Sequence, residues 1–299
     1  MSSGPIAPQD VPVRDAATVM LVRDSLSGNG IEVFMLRRNL KSDFVGGAFV
    51  FPGGAVDDAD RNADLDAVCH GRSDADASRR LGLERGGLAF WVAAIRECFE
   101  EAGVLLAYDS SGELVRFDDP EVDARFRLHR KAIDDGQRRL VEICAVEGLQ
   151  LAVDAMYYFS HWITPEGAPR RYDTRFFVAR APEAQEPLHD DREVIANLWI
   201  APAEALERHE AGDFDLIFPT MRSLVTLSRF DCCDELIEAA AATDEVPAIL
   251  PRIVEDEGGG YRIVLPGDPT YDDVVPAALP EGTPMNRLGI IADPASREV

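Results

Sequence analysis

Residues 88 to 107 read LAFWVAAIRECFEEAGVLLA. Trp91, Ala94, Ile95, Cys98 and Ala102 recur at i, i+3, i+4 and i+7, the spacing of one apolar helix face. Gly103 stands where a cap glycine would end the helix, and the apolar run after it reads as buried. At about 100° per residue, Glu100 and Glu101 fall on either side of Glu97. The three carboxylates share one face spanning roughly 100°. The apolar set lies opposite, with Phe99 at its edge. Arg96 precedes Glu100 by the spacing of a helical ion pair and can fix its rotamer. Close carboxylates repel, and some stay protonated unless a cation compensates them. Oxygen-only ligands favour Mg2+ or Mn2+ over zinc or copper. A solvated acidic surface is the plain alternative for these glutamates taken alone.

A second stretch changes that balance. FPGGAVDDAD, residues 51 to 60, puts two glycines directly after a short strand. Glycine lets backbone approach a ligand closely and turn a carbonyl toward it. The Gly53 carbonyl is therefore a candidate oxygen ligand; an ordinary tight turn is the alternative. Residues 57–87, between the two stretches, are rich in Asp, Ala, Arg and Gly and poor in large apolar side chains. They read as a partly helical insertion on the surface.

Outward from these stretches, 16–24 and 31–39 read as strands joined by the turn SLSGNG. Residues 120–148 form a charged amphipathic helical region. LAVDAMYYFSHWITP and RYDTRFFVARAP read as long strands joined by EGAPR, and 193–202 as another strand. Helices follow, and from about 246 the chain turns Pro/Gly-rich and reads as an extended tail or small hairpin packed on the main domain. The sum is an α+β fold, an α/β/α sandwich with a mixed β-sheet. No GxGxxG follows a strand, which disfavours a dinucleotide-binding Rossmann fold. The expected organisation is a loose tail at 1–14, a domain at 15–240, and a C-terminal extension at 241–299 packed on or trailing it.

The 54 acidic side chains outnumber the 30 basic ones, a net charge of −24. Nucleic acid or an anionic membrane surface would be repelled. A small anionic substrate stays compatible where a cation and a few arginines gather. No apolar run is long enough to span a membrane, and the first twenty residues lack a signal-peptide pattern. Five cysteines without a CxxC pair fit a reduced, cytoplasmic compartment. Cys98 reads as core packing, and the scattered histidines show no zinc spacing.

RECFEEAGV, with Gly54 and its FPGG approach, resembles the signature GX5EX7REUXEEXGU of the Nudix hydrolases, U being a bulky apolar residue. Arg96, Glu97, Glu100, Glu101, Gly103 and Val104 match its right half, and Gly54 its leading glycine. The first Glu falls on Asp60. Arg96 follows 36 positions later rather than eight, so about 28 residues are inserted. GGAVDDAD, AIRECFEEAGVLL, RRYDTRFFVA and FPTMRSL further resemble a branch of coenzyme A diphosphatases with a split motif. The resemblance covers roughly 16–230. It implies a metal-dependent hydrolase that opens the diphosphate of a nucleoside diphosphate derivative, coenzyme A or acyl-coenzyme A foremost. ADP-ribose, dinucleotides and nucleotide sugars stay open, as does a non-catalytic nucleotide-binding module. Glu97, Glu100 and Glu101 would hold Mg2+ or Mn2+ with the Gly53 carbonyl. The family usually adds an acid before the later Trp. Among His189, Asp190, Asp191 and Glu193, Glu193 is the expected ligand or base. Glu97 or Glu193 would accept the proton, and Arg96 would assist. Arg37, Arg38, Arg171 and Arg175 are the expected phosphate contacts, with Arg170 in the same basic run. Family habit makes a homodimer the expected assembly.

Overall fold

The computed structural model describes residues 11–39, 46–61, 65–188, 194–256 and 260–277. The first strand, β1 (Val13–Asp24), organises the rest because it changes partner along its length. β2 (Ile31–Arg38) pairs antiparallel with its far end, Val22 to Asp24. After β3 (Phe49–Val50), β4 (Gly53–Ala55) takes the same edge of β1 at Ala16, Ala17 and Thr18. Between β4 and the next long helix lie a 3-10 turn at Asp58–Asp60, α1 (Leu65–Val68) and α2 (Asp74–Leu81). Then comes α3 (Leu88–Ala102), ended by Gly103 in the left-handed conformation at φ 70°.

β5 (Ala107–Tyr108) leads to α4 (Pro120–Asp134) and α5 (Leu140–Glu147). Asp119 caps α4 through the backbone N–H groups of Glu121 and Val122, with Pro120 in its first turn. The helical region expected at 120–148 is thus two helices. β6 (Gln150–Leu151), β7 (Tyr157–Ile163), β8 (Arg171–Arg180) and β9 (Val194–Ile200) follow. β8 runs parallel to β1 over ten residue pairs, while β7 pairs antiparallel with β8. α6 (Pro202–Glu210), α7 (Phe218–Leu227) and α8 (Cys233–Ala242) precede β10 (Ala248–Ile249), β11 (Arg252–Glu255) and β12 (Tyr261–Val264).

The main sheet runs β10-β7-β8-β1-β2-β3, with β4 on β1 and β9 on β2. It is mixed, and alternate residues feed two cores. Ala17, Val19 and Leu21 meet α3 and the segments around it. Met20, Val22 and Met35 meet Leu224 of α7 and Leu236 of α8. This is the expected α/β/α sandwich.

One expectation changes. The segment 57–87 is not simply surface: Leu65, Ala77 and Leu81 enter the first core. Asp74 and Ser78 also cap α3. Asp74 accepts from the N–H groups of Gly86 at 2.9 Å and Leu88 at 3.0 Å. The Ser78 hydroxyl accepts from Gly87 N–H at 2.9 Å. Gly87 has no side-chain cap of its own, so α2 supplies what α3 lacks. A side chain at Gly87 would collide with the Ala77–Ser78 backbone. At the C-terminal side the hairpin alternative is the one observed. β10 joins the main sheet beside β7, and β11 pairs with β12 in a hairpin. All five cysteines are free thiols, four of them buried, Cys98 within the first core. Among the described residues, no helix is long and apolar enough to cross a membrane.

Candidate active site

α3 is buried almost all round. Of Leu88 to Ala102, only Glu97 and Glu100 are not fully buried. The three glutamates expected on one face all line a cavity, Glu97 and Glu100 half-buried and Glu101 buried. Glu101, 6% exposed, accepts from the Gly53 N–H at 2.9 Å and so ties helix to glycine turn. That turn is packed as tightly as glycine allows. A Cβ on Gly53 would stand 2.5 Å from Thr18 Oγ1 and 2.6 Å from the Ala17 carbonyl. One on Gly54 would collide with the Glu97 carboxylate.

Arg96 is the hub. Its Nε donates to Asp60 Oδ1 and its Nη2 to Asp60 Oδ2, both at 2.9 Å. Nη2 also donates to the Ala55 carbonyl at 2.9 Å. Nη1 donates to Glu97 Oε1 at 2.9 Å and Glu100 Oε2 at 3.2 Å. Burial opposes the arginine's charge, but the Asp60 hydrogen bonds and the Glu97, Asp60 and Glu100 carboxylates outweigh it and raise its pKa. Asp60, 2% exposed, also accepts from the Asp57 N–H. The aspartate at the first-Glu position thus makes a fork-to-fork pair with the motif arginine. The 3-10 turn that carries it returns the chain to α3.

Burial pushes the Glu100 carboxyl up to about 7; Arg96 opposes the shift, and Glu97 and Asp60 add to it. Glu97, Glu100 and Glu101 beside the glycine turn offer oxygen donors only, the chemistry a hard divalent cation takes. Among the described residues, no three acidic, histidine or cysteine side chains converge as a ready-made metal cluster. The Arg96 Nη1 group bridges Glu97 and Glu100 instead. The donor chemistry fits, with Arg96 holding two of the carboxylates.

These groups line a cavity of about 490 Å³. Its walls divide the expected arginines. Arg38 and Arg170 line it, but Arg37, Arg171 and Arg175 do not. Arg37 Nε turns to the Gly47 carbonyl and its guanidinium lies 5.5 Å from the Phe49 ring, with an irregular β2–β9 register between Arg37 and Arg38. Arg171 is buried and donates to the Thr164 carbonyl. Arg175, 4% exposed, pairs with Asp173 at 2.6 Å and lies over the Phe90 ring. Strand alternation explains the split: Tyr172, Thr174 and Phe176 face the cavity, so Arg171, Asp173 and Arg175 face away. The period-2 pattern RYDTRFF carried that signal. Trp162, Phe218, Ile253 and Ile263 also line the cavity and were not anticipated as site residues. His189, Asp190, Asp191 and Glu193 lie outside the described residues.

A glycine turn clasped to a glutamate helix within an α/β/α sandwich defines the Nudix hydrolase class. A solved Nudix hydrolase from Alicyclobacillus acidocaldarius superposes with a TM-score of 0.63 at 26% identity, covering 76% of this chain and 96% of that one. The model of the NUDT19 Nudix domain matches residues 75–227, about half of the chain, and the protein belongs to that family of Nudix hydrolases. The acyl-coenzyme A diphosphatase NUDT19 of Gallus gallus is 29% identical over 311 residues, covering 87% of this chain and 80% of that protein. The human protein of the same name is 28% identical over 273 residues, covering 81% and 72%.

Proposed function

We propose that this enzyme opens the diphosphate bond of coenzyme A or acyl-coenzyme A in a reaction that depends on Mg2+ or Mn2+. The observation that carries the reading is the Asp60–Arg96 pair, which fixes Glu97 and Glu100 at the wall of a cavity also lined by Arg38 and Arg170. The names of the chicken and human relatives direct the choice of substrate. Water adds to one phosphorus as the bridging P–O bond breaks. The products are adenosine 3′,5′-bisphosphate and phosphopantetheine, or its acyl thioester.

Glu97, Glu100 and Glu101 would hold the cation, with the Gly53 carbonyl and Glu193 as further ligands. When bound, it neutralises phosphate oxygens and lowers the pKa of a water. Glu97 or Glu193 would take the water's proton. Arg96 is a positioning residue rather than a proton carrier, since its donors are spent on Asp60, Ala55, Glu97 and Glu100. Arg38 and Arg170 would meet phosphate oxygens. The net charge of −24 disfavours nucleic acid as a partner. The free thiols support a reducing, cytoplasmic setting, and a homodimer is the assembly to test by light scattering.

The test is a panel of coenzyme A, acyl-coenzyme A, ADP-ribose, dinucleotides and nucleotide sugars with Mn2+, read by mass spectrometry. Turnover of the coenzyme A species, lost in Glu100→Gln and with EDTA, supports the reading. Preference for another diphosphate replaces the substrate. Binding without turnover of any compound would make the chain a binding module.

A further inference from the structure

The cavity is chemically lopsided. Its glycine-turn side carries Glu97, Glu100, Glu101 and Arg96. Another part of its wall is built from Trp162, Phe218, Pro251, Ile253 and Ile263, none of them charged. These residues belong together. Trp162 and Phe218 meet edge to face at 5.7 Å. Ile249 of β10 pairs with Trp162, and Pro251 and Ile253 follow within four residues. Ile253 stands directly opposite Ile263 in the β11–β12 hairpin, so both side chains share one face. Across the sheet, β10 is four strand steps from β4 through β7, β8 and β1. Trp162 lies on β7, one step nearer, so at about 4.8 Å per step the apolar wall begins roughly 14 Å from the glycine turn.

The hairpin is also held in place. The Ala277 N–H donates to the Ile253 carbonyl at 2.7 Å. The Tyr271 hydroxyl donates to the Leu250 carbonyl at 2.7 Å. Arg252 lies 4.2 Å over the Tyr271 ring and donates to the Tyr271 carbonyl. The apolar pair is thus presented to the cavity by a braced element, one that lies beyond the 75–227 span of the family match.

We infer that the β11–β12 hairpin, through Ile253 and Ile263, is the surface that selects the apolar arm of the substrate. The inference rests on the coenzyme A reading above and deepens it. A ligand whose diphosphate sits at the glutamates and whose distal end is a fatty acyl chain matches both regions. A second sugar or phosphate set against Ile253, Ile263 and Pro251 would be desolvated by side chains that offer it no hydrogen bond.

The test compares kcat/KM for a long-chain acyl-coenzyme A with that for free coenzyme A in the wild type, Ile263→Ser, Ile253→Ala and Ile263→Trp. The ratio of acyl to free substrate is expected to fall about tenfold in Ile263→Ser, the scale of discrimination by a few methylene contacts. Ile263→Trp adds volume, so it should move the preferred acyl chain to shorter lengths. An acyl-to-free ratio unchanged in all three variants, with coenzyme A still cleaved, overturns the inference and leaves the function standing. Equal loss of both turnovers in every variant makes the hairpin a structural brace and also overturns it. A wild type that cleaves no coenzyme A species removes the functional reading and the inference with it.

Discussion

Asp60 and Arg96, 36 residues apart in the chain, are joined by two hydrogen bonds of 2.9 Å in a site where both are nearly inaccessible to water. The pair replaces continuity of sequence with contact in space. Because Arg96 also holds the Ala55 carbonyl, Glu97 and Glu100, it fastens the glycine strand and the glutamates to one point. Asp60→Ala leaves a buried guanidinium without its main partner, an effect that costs about 3–5 kcal/mol. Urea unfolding should show that loss. Asp60→Glu keeps the charge but adds a methylene to a packed site, at about 1–3 kcal/mol. It should retain more turnover than the alanine variant. Equal stability of Asp60→Ala and wild type would remove the pair from its structural role.

The cap supplied by α2 gives a different expectation. Asp74→Ala removes the acceptor for two N–H groups at the start of α3. A lost N-cap costs about 1–2 kcal/mol. Glu97 stands nine residues after Leu88, roughly 13 Å along the helix. The thermal midpoint should fall, while kcat measured well below that midpoint stays close to wild type. A large drop in kcat at full folding would mean that the insertion reaches the chemistry itself.

The glutamate helix was readable because its apolar stripe and cap glycine are local signals, and its ends match Leu88 and Ala102. The two sides of the sandwich were readable for the same reason. Three features were not, each for want of a tertiary term. The insertion's few apolar residues, Leu65, Ala77 and Leu81, are sparse in sequence but gathered in the first core. Asp74 and Ser78 look like ordinary surface polar residues until Gly87 packs against them. The Pro/Gly-rich C-terminal stretch reads as a tail or a hairpin, but the place of β10 in the main sheet is hidden, since that strand has only two residues and finds its partner, Trp162, some 87 positions away. The basic residues divide, Arg38 and Arg170 lining the cavity while Arg37, Arg171 and Arg175 do not, for a simpler reason. A basic run was read as a patch, whereas a strand sends alternate members to opposite faces.

That alternation separates two outcomes by substitution. Arg170→Ala and Arg38→Ala should weaken substrate binding, raising KM about tenfold, the scale of one charge-assisted hydrogen bond. Their thermal midpoints should change little. Arg175→Ala should do the reverse, since it leaves Asp173 beside His161 without its guanidinium and opens space under Phe90. Loss of a buried pair's partner costs about 3–5 kcal/mol. Steady-state kinetics and thermal melts on the same preparations decide the matter. A KM effect in Arg175→Ala at unchanged stability would return that residue to the site.

The same network predicts how stability responds to acid. Asp173 is engaged by His161 Nε2 and by Arg175 Nη1. Arg175 in turn comes within 4.0 Å of Asp15. Burial works to raise the Asp173 pKa, but the His161 hydrogen bond and the charges of Arg175 and His161 prevail, leaving it below its ordinary 3.8. A carboxyl held lower in the folded state than in the unfolded chain adds stability above its unfolded value. That contribution disappears as pH falls through the folded value. The loss therefore belongs below about pH 4, with Asp173 fully contributing near neutrality. Asp173→Asn removes the titration. The variant should be less stable than wild type at about pH 6, and the gap should narrow toward about pH 3. Urea midpoints across that range provide the measurement. A constant gap would mean that Asp173 stabilises the network by shape and hydrogen bonding alone, with no contribution from its charge.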